Sequence, residues 1–235
     1  TGGPFPTIIV VSEIWGVHEH IRDVARRFAK LGYFAIAPEL FARQGDAGKV
    51  ADVQALLRDI VAKTPDAEVM ADLDATVAFA KASGKADTAK LGITGFCWGG
   101  RTTLMYAAHN PGVRIAVPWY GPVARSYHAG DRTALDVAAQ IKAPVLGLYG
   151  GEDPGIPNDT VEKMAAALKA AGNTKSEFVI YPGTPHAFHA ELVDELGTGW
   201  PMQIRAEQSR RVVAVMEAAR ASARAIARQR ALRAL

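Results

Sequence analysis

The stretch Gly95-Phe96-Cys97-Trp98-Gly99-Gly100 follows a short apolar run at 91–94 and precedes small and apolar residues at 102–108. A strand that turns sharply into a helix through Gly-x-nucleophile-x-Gly is a nucleophile elbow. The glycines allow strand and helix to approach each other around a middle residue with a strained backbone. Cys97 is the single cysteine of the chain and stands at the nucleophile position. A lone cysteine can also be a small buried hydrophobe, but glycines on both sides favour a reactive thiol that performs acyl transfer.

The composition is that of a globular protein and sets limits on function. The chain has 235 residues, of which 49% are hydrophobic and 22% charged, with a net charge of +3. We expect one domain over 1–235. One cysteine excludes an intramolecular disulfide framework and a cysteine-based zinc site. The small positive charge does not predict nucleic-acid binding, and no apolar run reaches the ~20 residues that span a bilayer. No signal peptide is recognisable, so a cytoplasmic location is expected.

Apolar runs typical of strands alternate with helical patterns along the chain. This alternation predicts an α/β fold, with a mostly parallel sheet covered by helices on both faces. The predicted strands are 7–11, 33–37, 91–94, 114–119, 145–149 and 177–181, and the predicted helices are 21–31, 67–82, 101–108, 160–171 and one from Met202 onward. The tail at 218–235 is almost all Ala and Arg, which predicts a solvated terminal helix, or alternatively a basic interaction arm.

A thiol nucleophile needs an imidazole to move protons and an acid to orient it. Asp153 follows the predicted strand 145–149, and His186 follows the predicted strand 177–181. Loops at the carboxyl ends of parallel strands are where open α/β sheets place their sites. Glu152 is the alternative acid, and His189 is the alternative base, although it fits better as a residue lining the pocket.

An oxyanion hole requires two backbone N–H donors. One is the amide after the nucleophile, that of Trp98, and the other comes from the loop after an earlier strand, where Ile14 is the candidate. Glu13, in the same loop, has two interpretations. It forms an ion pair or hydrogen bonds with loop amides, or it is a second partner of the thiol.

These segments together resemble the dienelactone hydrolase family, which has the α/β-hydrolase fold. The resemblance implies a catalytic triad of Cys97, Asp153 and His186. It also implies that Glu13 holds the resting thiol and takes its proton when an ester binds. The matching segments are Glu13-Ile14-Trp15-Gly16-Val17, Gly32-Tyr33 with Ala37-Pro38-Glu39-Leu40, Gly95-Phe96-Cys97-Trp98-Gly99-Gly100, Gly150-Gly151-Glu152-Asp153 and Pro185-His186-Ala187-Phe188.

The chain departs from the family pattern at the substrate site and at its start. Dienelactone hydrolases hold the substrate carboxylate with arginines, one of them four residues after the catalytic histidine, where this chain has Ala190. A second substrate arginine would fall within 45–65, where Arg58 is the candidate. The resemblance also implies further N-terminal strands before the first one seen here.

The sequence therefore predicts a carboxylic ester or lactone hydrolase that works through a thioester acyl-enzyme and needs no metal or organic cofactor. We expect a small-molecule substrate, a monomer or homodimer, and no nucleic-acid or membrane partner. The alternatives are a promiscuous hydrolase of thioesters or organophosphates, and a non-catalytic binding module. The candidate substrate-binding residues are Trp15, Trp119, Tyr120, Arg58 and His189, with the side chain of Trp98 as a further candidate for the pocket wall.

Overall fold

The computed structural model describes residues 2–188 of the chain. The chain divides into two compact units, Thr1–Ala187 and Phe188–Leu235, and the description below concerns the first. The single domain expected over the whole chain stays a prediction. The helix predicted from Met202 and the basic tail at 218–235 lie outside the described residues.

Within residues 2–188, six parallel strands form one sheet in the order β2-β1-β3-β4-β5-β6. This arrangement confirms the predicted α/β class, and every strand overlaps its predicted range. The strands are β1 (Phe5–Val11), β2 (Phe34–Ile36), β3 (Ala86–Phe96), β4 (Val113–Trp119), β5 (Leu146–Gly150) and β6 (Glu177–Tyr181).

Helices cover both faces of this sheet. Ile9, Val10 and Val11 of β1 are consecutive and fully buried. Because successive side chains of a strand face opposite sides, both sides of β1 must be covered. The helices are α1 (Glu19–Lys30), α2 (Val53–Asp59), α3 (Asp66–Ala82), α4 (Trp98–His109), α5 (Ala134–Val137) and α6 (Asn158–Ala170).

Some boundaries differ from the prediction for identifiable reasons. β3 begins at Ala86 rather than at 91, because its polar first half pairs with Phe5 and Pro6 of β1 before the register shifts. Helix α4 begins at Trp98 rather than at 101, directly after Cys97. The short helices α2 and α5 were not predicted, since segments of seven and four residues carry little periodic signal.

The loops that matter for chemistry leave the same edge of the sheet. The register pairs Val11 at the end of β1 with Gly95 near the end of β3. It also pairs Gly150 at the end of β5 with Tyr181 at the end of β6. Parallel strands end at a common edge, so the segments that carry Glu13, Cys97, Asp153 and His186 all begin there.

Candidate active site

Cys97 occupies a sharp turn between β3 and α4 with φ 52° and ψ −116°. A positive φ is uncommon for a residue other than glycine and is associated with functional sites. The turn is held from both sides by hydrogen bonds. The Cys97 N–H donates to the Trp119 carbonyl at 3.0 Å, and the Cys97 carbonyl accepts from the Arg101 N–H at 3.1 Å. The backbone therefore has the geometry predicted for a nucleophile elbow.

The glycines around Cys97 are required by close backbone contacts. A Cβ atom at Gly95 would lie 2.3 Å from the Gly99 carbonyl oxygen, and one at Gly99 would lie 2.4 Å from the Ser12 carbonyl oxygen. These distances are far below van der Waals contact, so no side chain fits at either position. The absence of side chains allows α4 to start against the end of β1.

Asp153 and His186 meet across two neighbouring loops. The His186 Nδ1 and Asp153 Oδ2 atoms are 2.5 Å apart, and the Asp153 side chain is only 2% exposed. The loops are joined by backbone bonds, from Gly151 N–H to the Tyr181 carbonyl at 2.8 Å and from Glu152 N–H to the Thr184 carbonyl at 3.0 Å. The Glu152 side chain is exposed, so Asp153 is the carboxylate that contacts the imidazole.

The imidazole of His186 also contacts the sulfur of Cys97. Burial lowers the pKa of His186, but hydrogen bonds to the Asp153 carboxylate and to Cys97 outweigh burial and raise this pKa to about 10. A thiol, an imidazole and a carboxylate thus form one hydrogen-bonded series. Such a series is the arrangement in which an imidazole and an orienting carboxylate can serve a thiol nucleophile.

The pairing of His186 should make folding stability depend on pH. The folded-state pKa of His186 is about 10 and the ordinary value is 6.5, so the folded protein holds this proton more tightly. The stabilisation is complete below 6.5 and is lost as the pH rises through about 10. We expect urea unfolding to give a stability advantage of wild type over His186→Asn that shrinks from about pH 6 to about pH 10. An advantage that grew with pH would contradict this ionisation.

The two amides proposed for the oxyanion hole lie on adjacent elements. The first N–H groups of a helix have no acceptor within it, so the Trp98 amide at the start of α4 is available to an anion. Ile14 lies in the loop after β1, whose strand register places it beside the end of β3. The Trp98 side chain is not a pocket wall as expected. It is 1% exposed and packs on Phe41 with ring centroids 4.6 Å apart.

Glu13 shares a hydrogen bond with His18. Its Oε2 atom lies 3.1 Å from His18 Nε2, and its side chain is 16% exposed. Burial, and then the negative charges of Glu13 and Cys97, raise the pKa of Tyr120 well above its usual value. The carboxylate and the thiol are therefore both within electrostatic reach of Tyr120. The role of Glu13 as a partner of the thiol stays a prediction.

Sequence reasoning missed the residue that orders the Glu13 loop. Glu39, which follows β2, accepts the Val17 N–H at 2.8 Å through Oε2. Its Oε1 would lie 2.8 Å from a Cβ atom at Gly16, whose φ is +73°. The Gly16 backbone therefore lies directly against the Glu39 carboxylate, which leaves no room for a side chain at position 16. The only signal of Glu39 in the sequence is its place in the segment Ala37-Pro38-Glu39-Leu40.

An aromatic residue packs against the imidazole, and a second aromatic pair involves its chain neighbour. The Tyr120 ring lies edge-on to the His186 ring with centroids 5.0 Å apart, and the Trp119 ring lies 5.9 Å from the ring of Phe96. Trp119 and Tyr120 are 4% and 1% exposed, whereas Trp15 is half-buried. Tyr120 is therefore the predicted aromatic residue that directly contacts the site.

Comparison with known proteins decides the family. The model of the dienelactone hydrolase family matches residues 1–229. This chain belongs to the dienelactone hydrolase family. A Methylorubrum extorquens family member named "Putative carboxymethylenebutenolidase" is 62% identical over 196 residues, which cover 81% of this chain and 65% of that protein. An Escherichia coli protein of the same name is 52% identical over 195 residues, covering 80% and 69%. The chain thus spans about two thirds of the length of these relatives.

Solved structures of dienelactone hydrolase-like proteins share the fold. The "Putative Dienelactone Hydrolase" of Klebsiella pneumoniae is 46% identical with a TM-score of 0.81, covering 93% of this chain and 87% of that one. A dienelactone hydrolase-like promiscuous phosphotriesterase from metagenomic libraries is 25% identical with a TM-score of 0.70, covering 92% and 85%. The fold is accordingly the α/β-hydrolase fold.

Of the two positions where the family resemblance implies a substrate arginine, 58 and 190, the structure describes only the first. Arg58 lies on α2, is exposed, and pairs with its neighbour Asp59 at 2.5 Å from Nη2 to Oδ2. Its predicted substrate role stays a prediction. His189 and Ala190 lie outside the described residues.

The elbow of this dienelactone hydrolase family member is braced by a buried arginine that sequence reasoning did not single out. Arg101, on the first turn of α4, is fully buried and makes two 2.7 Å hydrogen bonds to the Asp66 carboxylate. It also donates to the carbonyls of Arg125 at 2.9 Å and Arg132 at 2.6 Å. Arg101 therefore ties α4 to α3 and to the loop at 121–133. The sequence signal for Arg101 was an arginine among the mostly small and apolar residues of α4.

None of the helices within residues 2–188 is both long and apolar enough to cross a bilayer. Over the same residues, no three His, Cys, Asp or Glu side chains cluster so as to hold a metal ion.

Proposed function

We propose that the protein is a cysteine-dependent carboxylic ester hydrolase that cleaves a lactone or a small ester. The observation that supports this most strongly is the hydrogen-bonded series of Cys97, His186 and Asp153, with the cysteine on a strained elbow. Membership of the dienelactone hydrolase family supports the reaction class. A cytoplasmic location and a monomeric or homodimeric state are part of the proposal as predictions from the sequence.

The first half of the reaction forms a thioester. The sulfur of Cys97 attacks the ester carbonyl carbon as a thiolate, its proton having passed to the Glu13 carboxylate, from which it returns after turnover. The carbonyl electron pair moves to oxygen, and the resulting oxyanion accepts hydrogen bonds from the Ile14 and Trp98 amides. Collapse of this intermediate breaks the carbon–oxygen bond, and the imidazolium of His186 protonates the leaving alcohol. Asp153 keeps the imidazole oriented and stabilises its positive charge.

The second half releases the acid. His186 takes a proton from water, and the hydroxide oxygen attacks the thioester carbonyl while the same amides hold the oxyanion. Collapse then breaks the carbon–sulfur bond, and the thiolate leaves with the imidazolium beside it. No redox change or co-reactant other than water is required.

In the proposal, Glu13 controls whether the Cys97 thiol is protonated. In the proposal its carboxylate takes the thiol proton when an ester occupies the site, as the family resemblance implies. Its 3.1 Å hydrogen bond with His18 gives the carboxylate a defined partner in the free protein. A thiol that is ionised only when substrate is present would resist oxidation between turnovers.

A substrate panel tests the reaction class. We expect the wild-type protein to hydrolyse dienelactone or 4-nitrophenyl acetate with a kcat/KM well above that for the phosphotriester paraoxon. The preferred order would be reversed if phosphotriester hydrolysis were the main activity. That second candidate is kept because a 25% identical structural relative is described as a promiscuous phosphotriesterase. A pure binding module would hydrolyse none of these compounds.

A further inference from the structure

The loop at 12–17, which follows β1, is fixed at its start against helix α4. Ser12 is 1% exposed, and its carbonyl oxygen would lie 2.4 Å from a Cβ atom at Gly99. The Ser12 backbone therefore touches the first turn of the helix that begins directly after Cys97. The loop cannot shift at this end without displacing α4.

The other end of the loop rests on Glu39, which comes from the segment after β2. Its Oε2 accepts the Val17 N–H at 2.8 Å. Its two carboxylate oxygens would lie 2.8 and 2.9 Å from a Cβ atom at Gly16. Gly16 has φ +73°, a conformation that glycine adopts without strain. The carboxylate thus contacts two consecutive backbone units of the loop.

This contact is the polar use that the structure shows for the Glu39 carboxylate. Within residues 2–188, Glu39 forms no ion pair, although its side chain is exposed. A backbone N–H that donates to a carboxylate forms a charge-assisted bond, which is stronger than a bond between neutral groups. Glu39 is therefore suited to holding the loop in one conformation.

Ile14 lies between the two fixed ends of the loop. The Gly16 N–H points to the Glu13 carbonyl at 3.4 Å, so residues 13–16 form a tight turn with Ile14 and Trp15 at its centre. Glu39 contacts the last residue of that turn. An oxyanion hole is effective only when its donors are already directed at the oxyanion position before the reaction. The direction of the Ile14 amide consequently depends on the carboxylate of Glu39.

We propose that Glu39 is a positioning residue for ester hydrolysis, whose carboxylate holds the turn at 13–16 so that the Ile14 amide faces the oxyanion. The assignment rests on the proposed function, with Cys97 as the nucleophile and Ile14 as an oxyanion donor. Glu39 touches neither the ester nor the proton that moves. It acts only through the backbone of Gly16 and Val17.

Steady-state kinetics with 4-nitrophenyl acetate test the role of Glu39. We expect Glu39→Ala to lower kcat by about 10- to 100-fold and to change KM by less than about twofold, because the Ile14 bond strengthens as the oxyanion forms. Glu39→Gln keeps a side-chain oxygen that can accept the Val17 N–H, so it should stay within about threefold of the wild-type kcat. A glutamine variant as slow as the alanine variant would overturn the proposal.

Glu162→Ala is the matched control. It removes the same side chain from an exposed position on α6, and we expect wild-type kinetics. A wild-type kcat in Glu39→Ala would overturn the role of Glu39 while leaving ester hydrolysis intact. Failure of the proposed function has a different signature, since wild type and Cys97→Ala would then hydrolyse the ester equally fast.

Alkylation of the thiol separates positioning of the amide from general damage to the site. Cys97 is the single cysteine, so iodoacetamide labels this site alone. In that reaction the sulfur displaces iodide from a saturated carbon, and no oxyanion forms. We expect Glu39→Ala to be alkylated within about twofold of the wild-type rate, while the stopped-flow burst of 4-nitrophenol falls by about 10-fold or more. Equal slowing of alkylation and acylation would overturn the proposal.

Discussion

Replacing Cys97 by alanine should lower kcat/KM for 4-nitrophenyl acetate by about 10⁴-fold or more. The variant keeps the elbow and the amides of Ile14 and Trp98 but has no atom that can form the acyl-enzyme. The residual rate should reflect binding and oxyanion stabilisation only. Steady-state kinetics measure the effect after subtraction of the uncatalysed rate.

The control for this variant is a measurement of its folding stability. Cys97 has a positive φ, and alanine is no less strained there than cysteine, so the unfolding midpoint in urea should change little. A folded Cys97→Ala protein that hydrolysed the ester at the wild-type rate would remove Cys97 from the mechanism.

Replacing Asp66 by alanine should lower the free energy of unfolding by about 3–5 kcal/mol. Arg101 is fully buried, and both of its 2.7 Å bonds to carboxylate oxygens would be lost. An uncompensated charge would remain in the interior, and desolvation makes that costly. Denaturant unfolding monitored by circular dichroism measures the change.

Asp72→Ala on the same helix is the matched control. Asp72 also forms a two-pronged pair, with Arg43 at 2.5 and 2.6 Å, but the Arg43 side chain is 58% exposed. Water can therefore replace the lost partner, and we expect a much smaller loss of stability than in Asp66→Ala. Similar losses in the two variants would show that the burial of Arg101 does not set the energetics of its pair.

The sequence predicted those parts of the fold that have a long apolar pattern or an unusual set of residues. The apolar strands and the glycines around Cys97 predicted a parallel sheet and the turn into α4 because close backbone approach leaves no alternative residue. The polar start of β3 at Ala86 could not be predicted, since it depends on pairing with Phe5 and Pro6 of β1.

The sequence predicted which residues form the candidate site better than it predicted the contacts among them. Order along the chain favoured Asp153, but only the 2.5 Å contact with His186 separates it geometrically from the exposed Glu152. The pairing of Glu13 with His18 depends on how the loop at 12–17 closes on Glu39, which no local pattern encodes.

Mass spectrometry of the acyl-enzyme tests the central claim most directly. Wild-type protein mixed with excess 4-nitrophenyl acetate and quenched in acid within milliseconds should gain the mass of one acetyl group on the peptide that contains Cys97. Acetyl on another residue of the quenched protein, or turnover with no acetyl on Cys97 at any time, would contradict a mechanism in which this sulfur attacks the ester.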